Sequence, residues 1–129
     1  MRKVICIEDN LEMIELITSI LKNQGFEVFG AADGPKGLEL IASQKPDLVL
    51  LDLMMPDMDG WGVYQRMRTD DYMRTVPVIM VTAKSAEIDK KLAIGVAGVQ
   101  DYITKPFSPG DLVASVNKVL GPPAQPPPS

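Results

Sequence analysis

The sequence contains no histidine, and this absence removes several kinds of chemistry. Without an imidazole the chain has no Ser-His-Asp triad, no histidine ligand for a metal and no residue that could become a phosphohistidine. If the chain takes part in phosphoryl transfer from a phosphohistidine, that phosphohistidine must therefore belong to a partner.

Cysteine, positive charge and long apolar runs are also scarce. Cys6 is the only cysteine, so the chain has no internal disulfide and no cysteine-based zinc cluster. The net charge of -4 argues against direct binding to nucleic acid. No apolar stretch is long enough to span a bilayer, and the run after Met1-Arg2-Lys3 is shorter than the apolar region of a signal peptide. We therefore expect a cytoplasmic protein without a membrane partner.

What is present is the composition of one globular domain, with 46% hydrophobic and 23% charged residues in a chain of 129. Short apolar runs alternate with segments of helical periodicity, which predicts buried parallel strands connected by helices. The predicted strands span 3–7, 27–31, 47–51, 78–81 and 99–104. The predicted helices span 11–21, 33–45, 61–69, 85–94 and 108–120.

The expected fold class is α/β, with a five-stranded parallel sheet, right-handed crossovers and five helices on its two faces in a three-layer sandwich. This domain occupies residues 1–120. Residues 121–129 are rich in proline and have nothing to bury, so we expect a proline-rich tail or a truncated linker. Ligands of such sheets bind beyond the carboxyl ends of the strands, and polar residues there are the candidate site.

Polar side chains follow four of the five predicted strands. Glu8-Asp9 follow the first strand, Asp52 the third, Thr82 the fourth and Lys105 the fifth. Asp9 and Asp52 could each give magnesium one carboxylate oxygen, and Glu8 could hold a metal-bound water. The alternative for Glu8-Asp9 is an acidic pair favoured by the dipole of the first helix.

Together these residues fit a magnesium-dependent phosphoacceptor site. Asp52 would be the nucleophile, and crowded carboxylates need a cation nearby to stay ionised. The ammonium of Lys105 and the hydroxyl of Thr82 would hold the oxygens of the transferring phosphoryl group. The Lys105–Pro106 bond is a candidate cis peptide, and the alternative is an ordinary trans bond to a proline that ends the strand.

The motifs resemble those of response-regulator receiver domains, and they occur in the order of that family across residues 1–120. They are Glu8-Asp9, Asp52 followed by Leu-Met-Met-Pro-Asp-Met-Asp-Gly, Thr82-Ala83, and Asp101-Tyr102-Ile103-Thr104-Lys105-Pro106-Phe107. The resemblance implies the flavodoxin-like strand order 2-1-3-4-5. It also implies that Asp52 is phosphorylated by a partner, either a histidine kinase or a histidine phosphotransfer protein.

The resemblance implies further roles. Asp9, Asp52 and the carbonyl of Met54 would bind Mg²⁺, and Thr82 and Tyr102 would be the switch residues. Phosphorylation would then change the surface formed by the fourth helix, the fifth strand and the fifth helix, which controls an output protein or domain. The chain would catalyse only its own phosphoryl transfer and autodephosphorylation, and would not otherwise be an enzyme.

A phosphorylation-dependent homodimer is left open by the sequence. Asp101 matches the acid used where receivers pair through the surface from the fourth helix to the fifth. The last helix, however, lacks the arginine that is common in such dimers.

Two other classes of protein share part of the pattern. A haloacid-dehalogenase-type phosphatase also uses an aspartate at a strand end, but it needs a second aspartate two residues later, where this chain has Met54. A phosphorylation-independent interaction module would keep the fold. Such modules usually lose part of the site, whereas every member of the site is present here.

Overall fold

A computed structural model of the chain describes residues 2–53, 55, 60–83 and 99–121, without the side chains of residues 82 and 83. Five parallel strands form a single sheet with the order β2-β1-β3-β4-β5, which confirms the expected order. The strands are β1 (Lys3–Ile7), β2 (Glu27–Ala31), β3 (Leu48–Asp52), β4 (Val78–Ala83) and β5 (Asp101–Lys105). Because β1, β3 and β4 are interior strands, the end of β3 lies near the middle of one edge of the sheet.

The described residues contain four α-helices where five were predicted. They are α1 (Leu11–Lys22), α2 (Gly34–Gln44), α3 (Gly60–Arg68) and α4 (Pro109–Leu120), with a short 3-10 helix at Met73–Thr75. The remaining predicted helix, 85–94, and residues 122–129 of the tail lie outside the described residues. Across the described part of the chain, no helix combines the length and apolarity needed to cross a membrane.

Side-chain caps explain where three of the helices begin. The Asn10 side chain accepts hydrogen bonds from two backbone amides of the first turn of α1. Asp33 accepts from the amide of Lys36 at the start of α2, and Ser108 forms a capping box with Asp111 at the start of α4. These caps satisfy amides that have no partner inside the helix.

The core consists of two apolar layers, one on each face of the sheet. Successive side chains of a strand point to opposite faces, so odd and even positions separate. One layer packs under α1 and α4 and includes Val4, Cys6, Leu48, Leu50, Ile79, Val81 and Ile103. The other packs under α2 and α3 and includes Ile5, Ile7, Val49, Leu51, Met80 and Tyr102. This alternation determines on which face of the sheet the side chain of each strand-end residue lies.

The boundaries of β3, β4 and β5 differ from the predicted ones by one or two residues, and β4 extends past its predicted end to include Thr82 and Ala83. Asp47 lies outside β3, and its carboxylate accepts a hydrogen bond from the amide of Lys3 at 2.8 Å. At the other end β3 includes Asp52 itself, whose position pairs with Val81. Asp70 is exposed, and its carboxylate accepts hydrogen bonds from two amides at the start of the 3-10 helix.

Candidate phosphoacceptor site

Three acids and a lysine meet at the carboxyl ends of β1, β3 and β5. Glu8, Asp52 and Lys105 continue the alternation of the layer under α1 and α4, so their side chains leave the sheet on the same face. The amide of Glu8 bonds to the carbonyl of Ala31 at 2.9 Å, which extends the pairing of β1 with β2 beyond Ile7. The cluster is therefore built on strand ends rather than on long loops.

The carboxylates of Glu8, Asp9 and Asp52 lie close enough together to share one cation. Each offers an oxygen, and these oxygens lie within 4.8 Å of one another. Glu8 and Asp52 are only 2% and 4% exposed, whereas Asp9 is exposed. Buried acids in such close proximity repel one another unless a positive charge or a proton offsets them.

Lys105 supplies the positive charge that the structure shows at this cluster. Its Nζ lies 2.6 Å from Oε1 of Glu8 and 3.6 Å from Oδ2 of Asp52. Burial lowers the pKa of Lys105, but the hydrogen bond to Glu8 and the charge of Asp52 outweigh burial, so the net shift is upward. The ammonium is therefore charged at neutral pH and lies between two acids.

The contact between Lys105 and Glu8 was not expected from the sequence. The sequence assigned Lys105 to the phosphoryl group and Glu8 to a metal-bound water. Positions 8, 52 and 105 all share the face of the α1 and α4 layer, and this shared face was the signal that could have predicted that the three side chains lie together.

Glu8 is a strongly perturbed acid. Burial is the largest cause, Asp52 acts in the same direction and the ammonium of Lys105 acts in the opposite one, and together they raise the pKa of Glu8 to about 8. Its second oxygen, Oε2, is buried and accepts no hydrogen bond. A buried carboxylate oxygen without a partner is costly and is a natural position for a metal-bound water or another donor.

The donor set fits a hard divalent cation. The carboxylates of Glu8, Asp9 and Asp52 converge, and Oε2 of Glu8 has no hydrogen-bond partner. This set matches the all-oxygen coordination that Mg²⁺ prefers. Met54, whose carbonyl the resemblance implies as a ligand, lies outside the described residues.

The other predicted site residues are described to different extents. Thr82 lies in β4 opposite Thr104 of β5, and only its backbone is described. Tyr102 is 4% exposed and belongs to the layer under α2 and α3. The Lys105–Pro106 peptide bond, left open by the sequence, is cis.

Asp101 is engaged within the chain. Ser115 of α4 donates a hydrogen bond from Oγ to Oδ2 of Asp101 at 2.6 Å, and Nζ of Lys118 lies 3.7 Å from Oδ1. The acid that the sequence offered for a homodimer contact therefore has two partners on its own α4.

These features define a flavodoxin-like α/β domain with an acidic, lysine-containing site at the strand ends. The family model of the response regulator receiver domain matches residues 4–117, and the chain belongs to that family. Receiver domains are the phosphoacceptor domains of two-component systems, in which they interact with histidine kinases and output domains.

Solved structures of similar chains agree with this assignment. One, described as a response regulator of Chloroflexus aurantiacus J-10-fl, is 33% identical with a TM-score of 0.84, over 92% of this chain and 97% of that chain. The chemotaxis response regulator CheY4 of Vibrio cholerae is 28% identical with a TM-score of 0.84, over 93% and 99%. The receiver domain of a Pseudomonas aeruginosa PAO1 sensor histidine kinase, solved with magnesium in its active site cleft, is 29% identical with a TM-score of 0.82, over 93% and 98%.

Proposed function

We propose that Asp52 of this chain accepts a phosphoryl group from a phosphohistidine of a histidine kinase or a histidine phosphotransfer protein. One observation carries the proposal. The carboxylate of Asp52 is buried at the end of an interior strand, beside the acids Glu8 and Asp9, with the ammonium of Lys105 at 3.6 Å. In the transfer an oxygen of Asp52 bonds to phosphorus while the phosphorus–nitrogen bond of the donor breaks and the imidazole leaves.

Magnesium is the cofactor proposed for this site. Asp9 and Asp52 would bind it directly together with the carbonyl of Met54, and Glu8 would hold one of its waters. When bound, Mg²⁺ supplies positive charge that offsets the acids and the charge of the phosphoryl oxygens. The exposure of Asp9 gives the ion a path from solvent.

Lys105 is proposed to change partners during the reaction. Before transfer its ammonium is held by Glu8 at 2.6 Å, with Asp52 at 3.6 Å. A phosphoryl group on Asp52 brings new anionic oxygens to the same space, and the mobile ammonium, with three donors, can bond to one of them. The hydroxyl of Thr82 is proposed to bind another. These groups stabilise charge that develops on the oxygens as the phosphoryl group is transferred.

Thr82 and Tyr102 are proposed to report phosphorylation to the output surface, which comprises β5, α4 and the segment of the fourth predicted helix. Tyr102 is already packed inward, so phosphorylation would favour this inward state rather than create it. A groove of about 340 Å³ between β5 and α4 lies on this surface, lined in part by Tyr102, Phe107 and Lys118. An output protein or domain is proposed to bind there.

The domain extent, the location and the catalytic scope of the protein are proposed as well. Residues 1–120 would form the receiver domain and 121–129 a tail or linker, in a cytoplasmic protein without direct nucleic-acid or membrane partners. Catalysis would be limited to self-phosphorylation from the donor and autodephosphorylation. The internal contacts of Asp101 disfavour a homodimer that would use this acid.

The test is the mass of the intact protein after incubation with acetyl phosphate and magnesium. Wild type should gain one phosphoryl group, and Asp52→Asn should gain none. Asp71→Asn is the matched control because the side chain of Asp71 is fully exposed and its carboxylate lies 3.7 Å from the guanidinium of Arg74. A phosphorylation-independent interaction module, the alternative function, predicts no gain in any of the three proteins.

A further inference from the structure

We infer that Gly60 is a positioning residue for the phosphoacceptor, because the backbone of Asp52 occupies the space that any side chain at position 60 would need. A Cβ atom built on Gly60 would lie 2.6 Å from Cα of Leu53, 3.0 Å from the carbonyl carbon of Asp52, and closer still to the Asp52 carbonyl oxygen. The inference rests on the proposed role of Asp52.

Gly60 is the first residue of α3, and it is buried against the end of β3. Its amide donates a hydrogen bond to the carbonyl of Leu53 at 2.8 Å, which joins the two ends of the segment 54–59. The steric clash of a side chain at position 60 could therefore be relieved only by breaking this hydrogen bond or by moving the backbone of Asp52 and Leu53.

The body of β3 cannot absorb such a shift. Its residues are all buried, and it is paired on both sides, with β1 and with β4. Displacement would therefore be confined to its end, where Asp52 carries the carboxylate. That carboxylate must keep its distance from Lys105 and from the other acids, and errors well below 1 Å at a reacting group are enough to slow a reaction.

Two other helical glycines show that the close contact, and not glycine in a helix as such, is the distinguishing feature. The three atoms nearest to a Cβ at Gly37 of α2 all belong to the side chain of Ile7, and none belongs to the backbone. A Cβ at Gly110, in the first turn of α4, would have only Oγ of Ser108 nearby, at 3.8 Å. Gly110 is therefore the matched control for replacement of glycine by alanine at the start of a helix.

The experiment compares Gly60→Ala with Gly110→Ala and wild type. Phosphorylation by acetyl phosphate is followed at saturating magnesium, and the maximal rate and the half-saturating acetyl phosphate concentration are measured separately. Rates are expressed per folded molecule, with the folded fraction taken from urea unfolding. Gly60→Ala should lower the maximal rate by at least about tenfold and leave half-saturation within about twofold, since a misplaced carboxylate still admits the donor. Gly110→Ala should match wild type within about twofold.

A purely structural role would reduce the folded fraction but not the rate per folded molecule, and that result would overturn the inference. If Gly60→Ala is unfolded in buffer, trimethylamine oxide is added to restore the folded population and all three proteins are compared there. A variant that still does not fold would also overturn the inference, because Gly60 would then serve the fold rather than the placement of Asp52. Absence of phosphorylation in wild type would instead count against the proposed function.

Discussion

Replacement of Lys105 by methionine removes the charge at the centre of the site while keeping an unbranched apolar stem. The ammonium that is lost lies 2.6 Å from Glu8 and 3.6 Å from Asp52, two side chains that are only 3% and 5% exposed. The substitution therefore leaves two buried acids without the cation that lies between them.

The size of the effect on stability follows from the state of Glu8. Removing one partner of a fully buried ion pair costs about 3–5 kcal/mol when the remaining charge is not neutralised. Glu8 can be neutralised, because its pKa is already raised to about 8 and a proton can replace the lost ammonium. Lys105 is also 22% exposed, so solvent already screens part of the interaction. We therefore expect Lys105→Met to lower the free energy of unfolding by about 1–2 kcal/mol, at the lower end of the range for one hydrogen bond to a charged group.

The assay is urea unfolding without divalent metal, followed by the fluorescence of Trp61, the only tryptophan. Lys118→Met is the control, because Lys118 is 69% exposed and its ammonium lies 3.7 Å from Asp101. Exposed pairs of this kind contribute about 0–1 kcal/mol, so the control should lose roughly 0.5 kcal/mol or less. Equal losses in the two variants, or no loss in Lys105→Met, would refute the reasoning that the buried acids depend on Lys105.

Three further predictions concern metal, burial and the switch. Asp9→Ala should weaken magnesium binding by at least about tenfold in titration calorimetry, since Mg²⁺ tolerates incomplete coordination poorly; an unchanged affinity would remove Asp9 from the ligand set. Cys6, which is 1% exposed and whose thiol pKa burial raises to about 12, should react with thiol reagents only when the protein opens. Magnesium should slow that reaction, because a ligand of the native state lowers the open population; labelling that is rapid and indifferent to magnesium would contradict both points. Beryllofluoride, standing in for the phosphoryl group, should change hydrogen exchange at residues 83–90 and at Tyr102, and identical exchange with and without it would leave the proposed switch unsupported.

Periodicity in the sequence was sufficient to predict most of the sheet. β1 and β2 have the predicted bounds, because their apolar runs are flanked by clear turn and helix-start residues. At β3 the sequence favoured Asp47 as the first residue, but the carboxylate of Asp47 bonds to the backbone of Lys3 and lies before the strand. The 3-10 helix at Met73–Thr75 was missed because its start depends on the side chain of Asp70, whose bonds to two amides are a local feature that periodicity does not report.

The sequence predicted that four of the candidate residues lie together, but it did not predict the contacts among them. Their positions at strand ends were sufficient to predict that Glu8, Asp9, Asp52 and Lys105 lie close together. The sequence could not predict that Lys105 would lie nearer to Glu8 than to Asp52, since that depends on burial and on the competing charges. The contact of Gly60 with the Asp52 backbone was also hidden, because the close approach of two backbones leaves no pattern beyond the glycine itself.

Asp52 is proposed to be the residue that becomes phosphorylated, and chemical trapping of the product tests this assignment most directly. Borohydride reduces an aspartyl phosphate to homoserine, and peptide mapping by mass spectrometry then locates the modified position. After treatment with acetyl phosphate and magnesium, homoserine should appear at position 52 and should be absent when the phosphoryl donor is omitted. Homoserine at Asp9 or at another acid, or none at all in protein that has gained a phosphoryl group, would contradict the assignment.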